Sequence, residues 1–259
     1  VAGALAGLAA LRRGKAVHPH GVSYRARLVL DGARSAAGSE LLGAAGERTA
    51  VVRFSRSLGL PRPLPDLLGM SIRVPDAYGP GRHQDLLLVS SVDRPVLHHL
   101  FLPARDVQQR PYSCSLPYRA GGRLLLVGAV PDPTSPRPGG ADELDRLARA
   151  AATGELRFAL AVARLGGRFE RVGTLHLDRA PLPGAFDALR FNPFHCGGGL
   201  EPAGTLNRLR AHAYPLSQRA WARAGRLGEA QARADRELRA LLQAPSRSDR
   251  RGMRPPAPG

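Results

Sequence analysis

Aromatic residues make up only 5% of this 259-residue chain, cysteines number two, and Lys15 is the sole lysine. Cys114 and Cys196 cannot build a multi-bridge framework and show no Cys-x-x-Cys spacing. That excludes a disulfide scaffold and a cysteine zinc pair, and it suits a reducing, cytoplasmic setting. Long apolar runs are missing too. The small apolar stretch at 1–13 falls short of the roughly 20 residues a spanning helix needs. Its arginines follow the apolar run, whereas a signal peptide carries positive charge before it, so a short helix packed on the body is expected there. The sequence has no phosphate-loop motif, no His-Glu-x-x-His and no Gly-x-Ser-x-Gly. The glycines at 197–199 do not lead from a strand into a helix, so dinucleotide binding is not indicated either.

What is abundant is arginine. Lys plus Arg number 38 against 21 Asp plus Glu, giving a formal charge of +17 and a pI near 11.5. Such a balance ordinarily raises nucleic acid or an anionic membrane as a partner. Here the basic residues are spread along the chain, with one concentration near the C-terminus, so a solvated basic surface is the simpler reading and nucleic acid is set aside. With 43% hydrophobic residues the chain can bury a real core. Residues 1–243 read as a single domain, and 244–259 as a basic, Pro-rich disordered tail.

Between Lys15 and about Val130 the pattern is one of strands: 24–30, 49–55, 69–74, 85–91 and 123–130, separated by Gly, Pro and Asp clusters. The segment 95–106 is an excursion between strands. Residues 141–154 predict a helix, with acidic residues in its first turn, arginines later and Gly154 to stop it. Residues 156–165 and 169–178 pair as a hairpin across Gly166 and Gly167. These elements predict an α+β fold built on an antiparallel β-barrel of about eight strands with appended helices. After Pro181 the pattern switches to helix, and 216–243 reads as one long helix.

Several chemistry-bearing residues attract attention and then lose it. His98 and His99 are adjacent, so their side chains diverge. His195 and Cys196 suggest a thiol nucleophile, but no second histidine is placed to activate the cysteine. Arg210 and Tyr214 are four apart, which puts them on one helix face. A guanidinium beside a phenol favours the phenolate, a known ligand of haem iron. Pro215 then requires a kink, or a new helix beginning at the proline.

One family template runs in order through residues 15–220. VHPHG at 17–21 resembles the VHxxG of haem catalases, and VRFS at 52–55 matches the opening of their VRFST strand. LLGMSIRV at 67–74 and DLLLVSS at 85–91 resemble the RGFAVKF and DLVGNN segments. YSCSLPYRAG at 112–121 is similar to the YxxxxPYRxG of small catalase-related proteins. FNP, GLEP and RAHAYP, ending at Pro215, parallel FxP, GIEP and RxxxYP. The resemblance implies a barrel-based haem domain. Tyr214 is then the proximal iron ligand, held as phenolate by Arg210. His18 is the distal acid/base, and Ser55 its hydrogen-bond partner. Arg53 and Lys15 meet the propionates of haem b.

Three departures bear on the reaction. The family's distal asparagine is missing, with Ser90 near its place. The arginine after the proximal tyrosine is not matched, with Trp221 near its place and Arg219 as a substitute. The chain is also far shorter than a typical catalase. The resemblance therefore implies a haem peroxidase consuming hydrogen peroxide or an organic hydroperoxide with an organic electron donor, and true catalase activity second. Two alternatives stay open: a lipid-hydroperoxide rearranging haem enzyme, and a degenerate catalase fold that acts by binding without haem catalysis. Assembly into a homo-oligomer is also left open.

Overall fold

The computed structural model describes residues 20–61, 64–98, 100–114, 116–204 and 226–243. Among these, ten strands form one sheet: β1 (His20–Asp31), β2 (Ala45–Arg56), β3 (Leu68–Val74), β4 (Gln84–Ser90), β5 (Tyr112–Ser113), β6 (Tyr118–Ala120), β7 (Arg123–Pro131), β8 (Arg157–Arg164), β9 (Glu170–Pro181) and β10 (Leu200–Pro202). Every pairing is antiparallel. The order β1-β2-β3-β4-β5-β7-β8-β9 closes because β9 returns to β1, leaving β6 and β10 to flare from β7. Closure pairs the edge strands of the barrel and protects them from adventitious pairing.

The interior follows from the period of two. Tyr24, Ala26, Leu28 and Leu30 of β1 face Ala50, Val52 and Phe54 of β2 and the even positions of β3 and β4 in one apolar cluster. Phe54 and Phe158 meet at the centre with ring centroids 5.5 Å apart. The register between β8 and β9 slips after Leu160, as at a β-bulge. That slip changes parity, so Val172 and Leu175 both reach the core.

Helix α1 (Glu143–Ala152) matches the helix expected at 141–154. Asp142 caps it, accepting from the backbone N–H groups of Leu144 at 2.9 Å and Asp145 at 3.0 Å. Leu147, Ala150 and Ala151 join the barrel core. Arg56 ties α1 to the barrel, bonding Glu143 at 2.9 Å and Asp66 at 3.3 Å with all three side chains buried.

The outer face of β2 is covered as well. Val51 packs with Phe186 and Leu189 of the 182–189 segment and with Ala234 and Leu238 of α2 (Arg226–Gln243). Of the single helix expected over 216–243, only this part lies in the described residues. The helical reading after Pro181 needs correction. Residues 184–188 form a short 3-10 turn, 189–199 are irregular with turns at 193–194 and 198–199, and Leu200–Pro202 is strand β10, paired with β6. Proline at 181, 183, 193 and 202 and glycine at 197–199 deny this stretch a continuous helix. Gly199 has φ +78°, and a Cβ there would meet the carbonyl oxygen of Gly38 at 2.4 Å.

Candidate functional site

Three cross-strand rows on the outer face of β1 to β4 carry the polar residues of interest. In an antiparallel pair, directly opposed residues share a face. The first row runs Gly21, Ser55, Gly69, Val89, Ser113. The second runs Ser23, Arg53, Ser71, Leu87. The third runs Arg25, Val51, Arg73, Asp85. The first row has little side-chain height, so it forms a flat floor.

Arg53 lies across that floor. Its side chain is buried, and Ser23 and Ser55 beside it are buried too. A Cβ on Gly21 would stand 2.8 Å from the Arg53 guanidinium carbon and 2.4 Å from the Phe54 carbonyl oxygen, so glycine is what lets the guanidinium lie there. Burial lowers the Arg53 pKa, and the carboxylate of Asp187 opposes that shift. Arg53 stays protonated, so the floor carries a fixed positive charge beside hydroxyls and the half-buried Leu87 and Val89.

The third row anchors the chain that follows β9. Asp85 receives Arg73 at two points, 2.7 Å and 2.6 Å, and also the N–H of Asn192 at 2.8 Å. His195 Nδ1 lies 3.1 Å from the same carboxylate, and Asp85 N–H donates to the His195 carbonyl at 2.8 Å. Arg73 further donates to the Arg190 carbonyl at 2.5 Å and sits 5.3 Å over the Phe191 ring. Burial raises the Asp85 pKa, but the bonds from Arg73 and His195 outweigh it and hold the carboxyl below its ordinary value. Burial, with Arg73 nearby, lowers the His83 pKa.

The expected site residues divide into three groups. Arg53 and Ser55 share the outer face of β2. Ser90 does not join them. It follows Leu86 and Leu88 on the inward face, fully buried, accepting from Leu68 N–H at 3.1 Å and donating to the Leu102 carbonyl at 2.6 Å. Val89 holds the outward position instead. Lys15, His18, Arg210, Tyr214 and Arg219 lie outside the described residues.

The remaining sequence candidates serve structure. His98 is buried, its Nδ1 3.2 Å from the Val92 carbonyl and its ring 4.2 Å from that of Phe169. Burial and Glu201 raise the Cys196 pKa, the opposite of thiol activation. Sequence reasoning missed Gly21, Val89, Asp187 and the Arg73–Asp85 anchor. Strand parity in DLLLVSS was the available signal for Val89; the others depend on distant chain segments.

Among the described residues no group of three or more His, Cys, Asp or Glu could hold a metal ion. The chemistry of this face suits a group that carries carboxylates: Arg53 is a buried cation, and Leu87 and Val89 on the same outer face are apolar.

Compared with known structures, this barrel is catalase-like. It superposes on a crystal structure of a fungal catalase with a TM-score of 0.54, covering 76% of this chain and 57% of the fungal one. At 14% identity the likeness is one of fold. No protein-family model and no curated protein matches the chain.

Proposed function

We propose that this chain is a haem-dependent, peroxide-consuming oxidoreductase of the peroxidase or organic-hydroperoxide type, formed by a single catalase-like domain over residues 1–243. The observation that carries the reading is the buried Arg53 lying beside Ser55 on a glycine-floored outer face of a catalase-like barrel. Arg53 and Lys15 would hold the carboxylates of haem b. Tyr214, kept as phenolate by Arg210, would supply the iron ligand, with Arg219 substituting for the arginine that follows the family's tyrosine. When bound, the group supplies two-electron redox chemistry at iron, for which an organic donor restores the electrons.

The protein's own part is proton handling and selection. The neutral His18 imidazole takes the proton of the hydroperoxide and returns it to the leaving oxygen. Ser55 fixes the orientation of that ring. Leu87 and Val89 keep water from the face and offer no amide to a second hydrogen peroxide, which favours an alkyl hydroperoxide. The test is turnover by haem-supplied protein, reading oxygen release and donor oxidation separately. Donor oxidation with an alkyl hydroperoxide and little oxygen release from hydrogen peroxide is the expected result. Vigorous oxygen release without donor oxidation would make the enzyme a true catalase instead.

A further inference from the structure

The barrel also carries an apolar surface that its own fold does not use. The loop after β4 turns back on itself, with Leu100 N–H bonded to the Leu97 carbonyl and Val92 N–H to the Leu100 carbonyl. His98 points inward and stacks on Phe169, which in turn lies where a Cβ on Gly128 of β7 would stand. The loop is therefore pinned to the barrel, and its outward side chains are held out rather than left loose. Those side chains are Val96, Leu97, Leu100 and Phe101, exposed by 62, 40, 44 and 43%. Leu165, at the tip of the β8–β9 hairpin, is 55% exposed. The two loops adjoin, since Val96 Cγ2 lies 3.8 Å from where a Gly166 Cβ would be.

Val96 has φ +69°, a left-handed conformation that a β-branched residue adopts only under strain. The strain holds an aliphatic side chain out in water, which stability alone does not reward. Around the apolar tip stand the exposed Arg94, Arg164 and Arg168, with Asp93 and Glu170 as the nearby acidic residues. The chain as a whole is +17.

We propose that this two-loop tip docks on an anionic lipid surface, with Val96, Leu97, Leu100, Phe101 and Leu165 entering the interface and Arg94, Arg164 and Arg168 meeting headgroup phosphates. An apolar tip bordered by arginines is the pattern of a protein that lies on a membrane, and large positive net charge adds long-range attraction to it. No helix among the described residues is long and apolar enough to cross a membrane.

The test is sedimentation of the full chain with phosphatidylcholine vesicles, with and without phosphatidylglycerol. Binding is expected only to the anionic vesicles and is weakened by salt. Leu97→Asp with Leu165→Asp abolishes it, and each of Arg94→Gln and Arg164→Gln costs about fivefold in affinity. All these positions are exposed, and an unchanged circular dichroism spectrum checks that the variants fold. Three results would overturn the proposal: no binding to anionic vesicles; binding that survives both sets of variants, which assigns it to other basic segments; or concentration-dependent self-association abolished by the leucine variants, which assigns the tip to a second copy of the chain.

Discussion

Arg73 on β3 and Asp85 on β4 form a two-point ion pair, 2.7 Å and 2.6 Å, with both side chains almost fully buried. The pair also gathers Arg190, Asn192 and His195, so it fixes the path of the chain between β9 and β10. Asp85→Asn leaves Arg73 buried without its counter-charge, and a loss of about 3 kcal/mol is expected from chemical denaturation near neutral pH. The depressed Asp85 pKa makes its contribution present above the ordinary carboxylate value and lost as pH falls through the lower folded-state value. The stability gap between wild type and variant should therefore narrow as pH drops below about 4. A gap independent of pH would mean the carboxylate is not the anchor.

Ser90 gives a sharp contrast between a structural and a catalytic role. Ser90→Ala removes the acceptor of the buried Leu68 N–H, at a cost of about 1–3 kcal/mol in stability. Peroxide turnover per haem should stay within about twofold of wild type, because the hydroxyl faces the barrel interior. A large fall in turnover with unchanged stability would return Ser90 to the site.

Gly21 is the floor on which Arg53 lies. Gly21→Ala forces a methyl group against the guanidinium and the Phe54 carbonyl, an overpacking expected to cost about 1–3 kcal/mol. Haem retention, read by gel filtration of haem-supplied protein, should fall in the same variant. Retention equal to wild type would mean that Arg53 does not meet the cofactor.

Val89 stands on the Ser55 face with no polar group to offer. Val89→Asn supplies an amide there, and hydrogen peroxide turnover relative to an alkyl hydroperoxide should rise by about tenfold. An unchanged ratio would remove Val89 as the determinant of peroxide choice.

The barrel was legible because its long strands alternate cleanly and their hairpins carry Gly, Pro and Asp. Strands β5, β6 and β10 were not, being two or three residues each and paired with partners far along the chain. The shared face of Arg53 and Ser55 was legible from the strand alternation of VRFS. Ser90 was misread for a reason internal to strands: a slip of one residue in DLLLVSS exchanges the two faces, moving the outward position from Val89 to Ser90. The Arg73–Asp85–His195 cluster lay beyond sequence reasoning because its members are separated by 12 and 110 residues. Their pairing is set by register and loop path, not by spacing. His195 was weighed only with its neighbour Cys196, whereas its partner is Asp85.

Ligation of haem iron by Tyr214 underlies the proposed function. Its most direct test is the optical and paramagnetic resonance spectrum of ferric protein purified with haem supplied, compared with Tyr214→Phe. A Soret band and a high-spin ferric tyrosinate signature are expected in the wild type, both lost in the variant. A wild type without a Soret band, or a variant with an unchanged spectrum, would contradict it.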